Sequence, residues 1–251
     1  MGTVAGVISG KGVYEAQWRA SAWLASLPVS ASADLMQGAS RLLVVSPHPD
    51  DEVLGCGGLI QAALAARLPV TVVSVTDGEA CYPDQLQWPC ERLRRVRRGE
   101  LQLALARLGG PVAVTVLALA DGGVTQAHDR LQQHLHGLLQ PDDLVLAPWE
   151  HDGHPDHEAC GRAARKAADG CGARLLEYPV WAWHWLWPEA AEAPWSCARR
   201  VPMSLQARER KRHAVAAYAS QTGTAGGLTC APILPAHVLE RFDRDFEVVI
   251  G

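Results

Sequence analysis

Two short stretches of the sequence concentrate imidazoles and carboxylates. The first, Ser46–Glu52, reads SPHPDDE, and the second, Trp149–Glu158, reads WEHDGHPDHE. Charged groups at this density are costly to bury unless they are paired or bind a metal ion. For either stretch alone, the plain alternative is a polar loop whose acidic residues cap the helix that follows. Two such stretches, each directly after an apolar run, favour a functional site.

The spacing within both stretches suits a metal ion. His48 and Asp51 lie three residues apart on a turn that enters a predicted helix, so their side chains can converge. His154 and His157 have the same spacing at the start of a later helix. Zn²⁺ accepts imidazole and carboxylate ligands, and a catalytic zinc site keeps three protein ligands and one open position. The two stretches hold more than three candidate ligands, so some of these residues must have another role.

Apolar runs and helical patterns alternate along the chain and would place both stretches at one edge of a sheet. The runs predict strands at Arg41–Ser46, Val70–Thr76, Val112–Leu119, Leu144–Pro148 and Arg174–Val180. Helical spacing predicts helices at Tyr14–Leu27, Leu54–Leu68, Arg92–Leu108, Gln126–Leu139 and His157–Ala168. This alternation predicts an α/β fold, a Rossmann-like three-layer α/β/α arrangement with a mostly parallel sheet. Such sheets carry their sites beyond the carboxyl ends of the strands.

Composition and charge argue against several classes of function. The 251 residues are 48% hydrophobic and 20% charged, which supplies a sizeable core. Lys and Arg number 23 against 27 Asp and Glu, so the net charge of −4 leaves no basic excess for nucleic acid. No apolar segment approaches the ~20 residues of a membrane span. Seven cysteines without a CxxC pair, and no signal-peptide pattern, predict a reduced, cytoplasmic protein.

Three motifs resemble the LmbE-like, or PIG-L, family. They are the string PHPDDE after a buried strand, the GCGG in the helix that follows, and the later HPDH. The similarity extends over about Arg41–Gln221 and includes Thr76–Glu79, Arg97 with Glu100, Leu108–Gly109 and Tyr218–Gln221. The resemblance implies a zinc-dependent N-deacetylase that acts on N-acetylglucosaminyl compounds. Its partner would be a small amino-sugar molecule or glycoconjugate.

The same resemblance organises the chain as one domain over residues 1–251. Residues 1–40 form an N-terminal extension with one helix, residues 41–221 the family core, and residues 222–251 C-terminal strands. The oligomeric state has no signal in the sequence.

The family motifs assign roles by position. The metal ligands fall on His48, Asp51 and His157. The general base falls on Asp50, and His154 takes the place of a second catalytic histidine that protonates the leaving amine or stabilises the oxyanion. Asp156 is expected to orient His154 by accepting a hydrogen bond from its second ring nitrogen. The implied metal is Zn²⁺, with Fe²⁺ as the alternative, because two histidines and one aspartate also resemble the facial triad of non-haem iron sites.

Three residues outside the two stretches are predicted to bind substrate. Arg97 matches a position on a family helix and is expected to contact an acidic substrate group, although its basic run also fits a solvated helix face. Tryptophan occupies alternate positions in 181–187, which predicts one aromatic face of an extended segment. Trp183 and His184 of this segment are expected to reach a sugar ring. The same pattern also fits a hydrophobic edge that covers the core or contacts another subunit.

Two other functions compete with deacetylation. A catalytically silent metal- or sugar-binding module of the same fold would need neither Asp50 nor His154, whereas amide hydrolysis needs a base and a proton donor beside the metal. A metal-dependent phosphoesterase would favour two bridged metal ions, and the sequence shows one set of three ligands. The residues therefore favour removal of an N-acetyl, or another N-acyl, group.

Overall fold

The structure, a computed structural model, describes residues 10–188 and 197–251. A sheet of seven strands runs through the centre of the described chain. In chain order the strands are β1 (Arg41–Ser46), β2 (Val70–Thr76), β3 (Ala113–Leu119), β4 (Asp143–Pro148), β5 (Arg174–Tyr178), β6 (Ala198–Pro202) and β7 (Phe246–Ile250). Their order across the sheet is β3-β2-β1-β4-β5-β7-β6. Strands β1 to β5 are parallel and β7 is antiparallel to β5 and β6, so the predicted mostly parallel α/β fold is confirmed.

Helices connect and cover the strands. They are α1 (Glu15–Ala20), α2 (Ala22–Ser26), α3 (Ser32–Met36), α4 (Asp51–Ala65), α5 (Cys90–Ala106), α6 (His128–Leu138), α7 (Pro155–Cys171), α8 (Ala182–Trp185), α9 (Leu205–Val215), α10 (Ala219–Thr222) and α11 (Ala236–Leu239). A 3₁₀ turn, Glu240–Phe242, follows the last of them. None of the helices in the described part of the chain has the length and apolar composition of a membrane-spanning segment.

The sheet is covered on both faces because its central strands are apolar on both faces. In β1, Leu42 and Val44 belong to the core cluster that includes side chains of α4, α5 and α9. Leu43 and Val45 point the other way and belong to the cluster formed with α6 and α7. Alternate residues of a strand face opposite sides of a sheet, so an unbroken apolar run requires a helical layer on each side.

The strand order brings the two acidic stretches together. Strands β1 and β4 are hydrogen-bonded neighbours, although residues 47–142 separate them along the chain. The chain leaves β1 toward β2 and leaves β4 toward β5, in opposite directions across the sheet. A crevice forms at such a switch point beyond the carboxyl ends of the strands. The loop from β1 to α4 and the loop from β4 to α7 therefore meet there.

Three sequence predictions about elements were wrong. The single helix predicted over Tyr14–Leu27 is two helices, because Ser21 is extended and its side chain accepts a hydrogen bond from the Leu24 N–H at 3.3 Å. The segment predicted to be extended over 181–187 contains helix α8. Residues 222–251 hold one strand, β7, together with α11, instead of several strands. Residues 1–9 of the predicted N-terminal extension lie outside the described residues.

A buried ion pair ties the last strand to α4, the helix that begins at the first acidic stretch. Lys211 Nζ on α9 donates to Glu247 Oε1 on β7 at 2.6 Å and to Leu54 O at 2.7 Å. The Glu247 carboxylate also accepts the N–H groups of Gly58 and Leu59, at 2.7 and 2.9 Å. The two charged side chains are 4% and 2% exposed, so water does not reach this cluster freely.

Removing the lysine from this cluster should destabilise the protein strongly. In Lys211→Met the buried Glu247 carboxylate loses its cationic partner, which should lower the free energy of unfolding by about 3–5 kcal/mol. Urea denaturation followed by circular dichroism measures the change. Arg212→Met is the matched control, because Arg212 pairs with Asp243 while its side chain is 49% exposed, and it should cost less than ~1 kcal/mol. Equal losses in the two variants would contradict the role assigned to the buried pair.

Candidate active site at the carboxyl edge of the sheet

Three potential metal ligands from the two acidic stretches converge in this crevice. His48 Nδ1 lies 3.3 Å from Asp51 Oδ2, and His157 Nε2 lies 3.2 Å from the same oxygen. The two ring nitrogens are 3.3 Å apart. Atoms that bind a tetrahedral ion at ~2.0–2.1 Å lie ~3.3–3.4 Å from one another. The three side chains therefore fit a divalent metal ion by both donor type and spacing.

The far side of His48 contacts two more carboxylates. His48 Nε2 lies 3.1 Å from Asp121 Oδ1 and 3.4 Å from Asp156 Oδ2. These contacts at Nε2 fix the rotation of the His48 ring, so that Nδ1 faces the other two potential ligands, Asp51 and His157. The sequence analysis did not identify Asp121, although its position could have indicated it. Asp121 is the first acidic residue after β3, and the other site residues likewise follow the carboxyl ends of strands.

His157 is fixed by a carboxylate that also shapes the next loop. Its Nδ1 lies 2.8 Å from Asp152 Oδ2, and both side chains are fully buried. The Asp152 carboxylate accepts the N–H groups of Val180, Trp181 and Ala182, each at 2.9 Å. These three N–H groups lie at the start of α8, so Asp152 holds both the imidazole and the turn after β5. This contact explains why 181–187 bends into a helix.

The carboxylates around the two imidazoles favour positive charge. Burial alone lowers the pKa of His48, but hydrogen bonds with three aspartates, Asp121 first among them, outweigh burial and raise that pKa well above its usual value. Burial also opposes a charge on His157, yet the charge of Asp51 and the hydrogen bond to Asp152 raise the pKa of His157 to about 9. Such surroundings suit a divalent cation, which replaces ring protons when imidazoles become ligands.

Asp50 lies beside the three ligands and is held by a buried arginine. Arg97 Nη2 donates to Asp50 Oδ2 at 3.0 Å and to Pro49 O at 2.9 Å, and Nη1 donates to Gly78 O at 2.8 Å. Burial raises the pKa of Asp50 to about 8; the Arg97 charge opposes this rise, and the two acidic residues that follow Asp50 add to it. A carboxyl group with such a pKa exchanges its proton close to neutral pH.

The backbone of Asp50 adopts a conformation that residues with a side chain rarely take, with φ 146° and ψ −32°. Glu52 stabilises this conformation. Its Oε2 accepts the Asp50 N–H at 3.1 Å and the Ser46 hydroxyl at 2.7 Å, and its Oε1 accepts the hydroxyl of Tyr218. Glu52 is fully buried, so this network fixes the loop on which Asp50 stands.

His154 and Asp156 differ from the predicted pair. His154 is the N-cap of α7, and its Nδ1 accepts the backbone N–H of Asp156 at 3.2 Å. The Asp156 carboxylate instead accepts the N–H groups of Gly122 and Val124 and contacts His48. The predicted side-chain hydrogen bond from His154 to Asp156 is thus replaced by a capping bond, because a residue at the N-cap faces the amide two positions on. Burial, and then the charges of His157 and His48, lower the pKa of His154 to about 3.

These groups line a cavity of about 640 Å³. One wall includes the site residues described above: His48, Asp50, Asp51, Arg97, Asp121 and His154. A second wall includes Cys81, Trp181, His184, Gln221 and residues 231–235, 237 and 238. His184 thus lies where a substrate-binding residue is expected, and its Nδ1 lies 3.0 Å from Arg241 Nη1. The second wall is mostly apolar and leaves room for a group attached to the reacting one.

Two residues predicted to contact substrate have other surroundings. Trp183 is 3% exposed and packs edge-on against Trp18, with ring centroids 4.9 Å apart, in the core beside β7. Arg97 reaches the cavity, but both its Nη atoms donate to protein oxygens, so it serves Asp50. A Cβ atom on Gly78, where φ is 62°, would lie 1.7 Å from Arg97 Nη1, so this close contact requires glycine.

Comparison with known proteins places these motifs in context. A sequence profile described as PIG-L: GlcNAc-PI de-N-acetylase matches residues 43–168. The chain is 31% identical over 156 residues to 2'-N-acetylparomamine deacetylase of Streptomyces fradiae, covering 55% of this chain and 56% of that protein. It is 31% identical over 133 residues to probable N-acetyl-alpha-D-glucosaminyl L-malate deacetylase 2 of Bacillus subtilis strain 168, covering 51% and 60%. The chain thus spans little more than half the length of these curated relatives.

Solved structures share the fold. The zinc-inhibited form of teicoplanin deacetylase superposes with a TM-score of 0.65 at 19% identity, covering 84% of this chain and 97% of that one. The profile match takes in about half of the chain, including both stretches that supply His48, Asp51 and His157. The predicted resemblance is therefore confirmed, and the chain belongs to the PIG-L family.

Proposed function

We propose that this chain is a metal-dependent hydrolase that removes the N-acetyl group from an amino-sugar compound. The observation that carries the proposal is the triangle of three ligand atoms, 3.2–3.3 Å apart, with Asp50 and His154 beside it on one cavity. The relatives support the substrate class, because their names describe N-acetylated amino sugars. Removal of an N-acyl group other than acetyl stays a prediction from the sequence. A reduced, cytoplasmic location stays a prediction as well.

The residues that would hold the metal are His48, Asp51 and His157. Zn²⁺ suits two imidazoles and one carboxylate, and Fe²⁺ is the alternative. When bound, such an ion polarises the amide carbonyl and lowers the pKa of a water molecule toward neutrality. The partners of the two imidazoles, Asp121 and Asp152, hold the rings in the orientation that this role requires.

Asp50 is the proposed general base. Its carboxylate takes a proton from the attacking water as the water oxygen bonds to the amide carbon. Arg97 orients Asp50 through the hydrogen bond from Nη2 to Oδ2, which leaves Oδ1 for that proton. When the carbon–nitrogen bond breaks, Asp50 returns the proton to the nitrogen, and the products are a free amine and acetic acid, which then ionises to acetate.

His154 is the proposed donor to the carbonyl oxygen. Because its Nδ1 accepts the Asp156 N–H, the ring proton of a neutral His154 must lie on Nε2. An Nε2–H that points to the carbonyl oxygen stabilises negative charge as it develops there. This role corresponds to the oxyanion stabiliser among the two predicted roles, and it does not require a charged imidazole.

The competing functions fit the site less well. A catalytically silent binding module would not need the buried ion pair between Asp50 and Arg97. It would also not need the rare backbone conformation of Asp50. A phosphoesterase with two metals would need a second complete set of ligands. Within the described residues, the other possible group is His48, His154 and Asp156, which shares His48 with the first. The Asp156 carboxylate in that group already accepts two backbone N–H groups.

The ligand assignment predicts the metal content of variants. His48→Ala, Asp51→Ala and His157→Ala should each lower the bound metal from about one ion per chain, since three ligands leave no spare donor. Mass spectrometry of elements after dialysis measures the content. His134→Ala, on the exposed side of α6, is the matched control and should keep the metal. Unchanged content in all three ligand variants would refute the assignment.

Asp121 should affect the metal without touching it. In Asp121→Asn the charge that faces His48 Nε2 is lost, and metal affinity should fall by about 10- to 100-fold. Competition with a fluorescent chelator measures the affinity. Asp129→Asn, an exposed carboxylate near the start of α6, removes the same charge elsewhere and should leave the affinity unchanged. An effect of equal size in both variants would show that net charge, and not the contact with His48, is responsible.

The catalytic roles predict a different result for Asp50 and His154. Asp50→Asn and His154→Gln should keep the metal but lower kcat by roughly 10²-fold or more, because each removes a proton acceptor or donor. Release of free amine from a panel of N-acetylated amino sugars measures turnover. The melting temperature of each variant is recorded too, because Asp50→Asn leaves Arg97 without its anion. If both variants kept metal and full turnover, the silent binding module would become the better explanation.

A further inference from the structure

The two edges of the central sheet have different surroundings. At one edge residues 28–30 lie along β6: the Arg200 N–H donates to Pro28 O at 2.7 Å, and the Ser30 N–H donates to Arg200 O at 2.9 Å. At the other edge β3 is hydrogen-bonded to β2. Over residues 10–188 and 197–251, no group pairs with the outer side of β3. Unpaired backbone groups at a sheet edge can pair with a further strand.

The residues of β3 do not protect this edge from pairing. Ala113–Leu119 reads AVTVLAL, a sequence of high β-strand propensity that contains no charged residue and no proline. Edge strands in natural proteins usually carry charged residues or proline, which discourage pairing with another chain. The Val116 residue is apolar and still 42% exposed. The edge at β3 is therefore open, uncharged and partly apolar.

Only the first part of β3 is regular enough to accept a further strand. Its register on β2 is constant from Ala113 to Val116 and then shifts before Leu119. Ala118 lies within the shift and has φ 50°, which is outside the extended region. Regular pairing on the outer side must therefore end at Leu117. Thr115 is the middle residue of the regular stretch, residues 113–117.

This stretch is complementary to a second copy of itself. When two copies lie antiparallel about a two-fold axis at Thr115, each Thr115 faces the other, Val114 faces Val116, and Ala113 faces Leu117. Threonine pairs and pairs of β-branched residues are favourable across strands, and no like charges meet. A two-fold axis also closes the assembly at two copies. Both the matched pairs and the lack of charge favour a second copy of this chain as the partner.

We propose that β3 is a dimerisation surface, at which two copies of this chain join their sheets by antiparallel β3–β3 pairing centred on Thr115. The backbone groups that are unpaired in each copy then bond to each other, and Val114 of the second copy covers the exposed Val116. The strand leads directly to Asp121, which contacts His48, so the pairing also braces the loop that supports this imidazole. Dimerisation of this kind is independent of the proposed deacetylation.

Analytical ultracentrifugation of the full chain tests the association. Wild type should sediment at twice the mass of one chain. Val116→Lys places two like charges diagonally across the axis, and it should raise the dimer dissociation constant at least about 10-fold. Leu86→Lys is the matched control, because this leucine is 97% exposed and lies far from β3 in the sequence, so the same change of charge should leave the dimer intact. A mixture of Val116→Lys with Val116→Glu should recover a dimer that neither variant forms alone.

Cysteine cross-linking tests the register. Thr115→Cys should give a disulfide-linked dimer on mild oxidation, because opposite residues of antiparallel strands have Cα atoms ~4.5–5.5 Å apart, within the range of a disulfide. Ala113→Cys should not link to itself, because residue 113 of one copy faces Leu117 of the other, about 14 Å from residue 113 there. Wild type oxidised in parallel gives the background from its own seven cysteines.

A monomeric wild type would overturn the proposal. Equal effects of Val116→Lys and Leu86→Lys on the dissociation constant would overturn it too, as would equal cross-linking of Thr115→Cys and Ala113→Cys. Circular dichroism shows whether each variant is folded, and if Val116→Lys is not, the two cysteine variants decide, because both keep a small uncharged side chain. Cross-linking at residue 115 and not at residue 113 supports the proposal, as does recovery of the dimer in the mixture of opposite charges.

Discussion

The arrangement of this site depends on burying several carboxylates around two imidazoles. The carboxylates of Asp121, Asp152 and Asp156 each accept backbone N–H groups and also contact a histidine. Asp121 accepts the N–H of Ala80, Asp156 accepts those of Gly122 and Val124, and Asp152 accepts those of residues 180–182. The loops after β2, β3 and β5 are thus each fixed to a carboxylate of the site. The electrostatics of the site and the shape of its loops have the same cause.

Arg97 shows how burial decides the role of a charged residue. An arginine beside a substrate cavity has the chemistry to bind an acidic ligand. Here the guanidinium is 2% exposed and lies between two backbone carbonyls and Asp50, so its charge is used inside the protein. It keeps Asp50 in position and limits the rise in the pKa of Asp50 that burial causes. A base that is oriented and still able to take up a proton results from that balance.

Much of the fold could be predicted from the sequence because its signals are local. Strands β1 and β2 have the predicted bounds, since an unbroken apolar or β-branched run can be seen without knowing its neighbours. The convergence of His48 with His157 followed from the rule that parallel strands carry their sites at one edge. Asp121 received no role in advance, because its partner His48 is close in space but far along the chain. Likewise, alternating tryptophans suggested an extended segment, and the remote carboxylate of Asp152 that bends it is invisible to periodicity.

The position of β7 in the sheet has a consequence for the order in which the protein is built. Phe246–Ile250 is the last strand in chain order, yet it lies between β5 and β6. During synthesis β6 emerges long before the strand that pairs with it, and its hydrogen-bonding edge stays unpaired until then. The apolar wall of the cavity, residues 231–238, lies in the stretch between those two strands. The parallel strands β1 to β5 and the acidic loops are therefore all translated before the apolar wall of the cavity, and the strand that completes the sheet is translated after that wall.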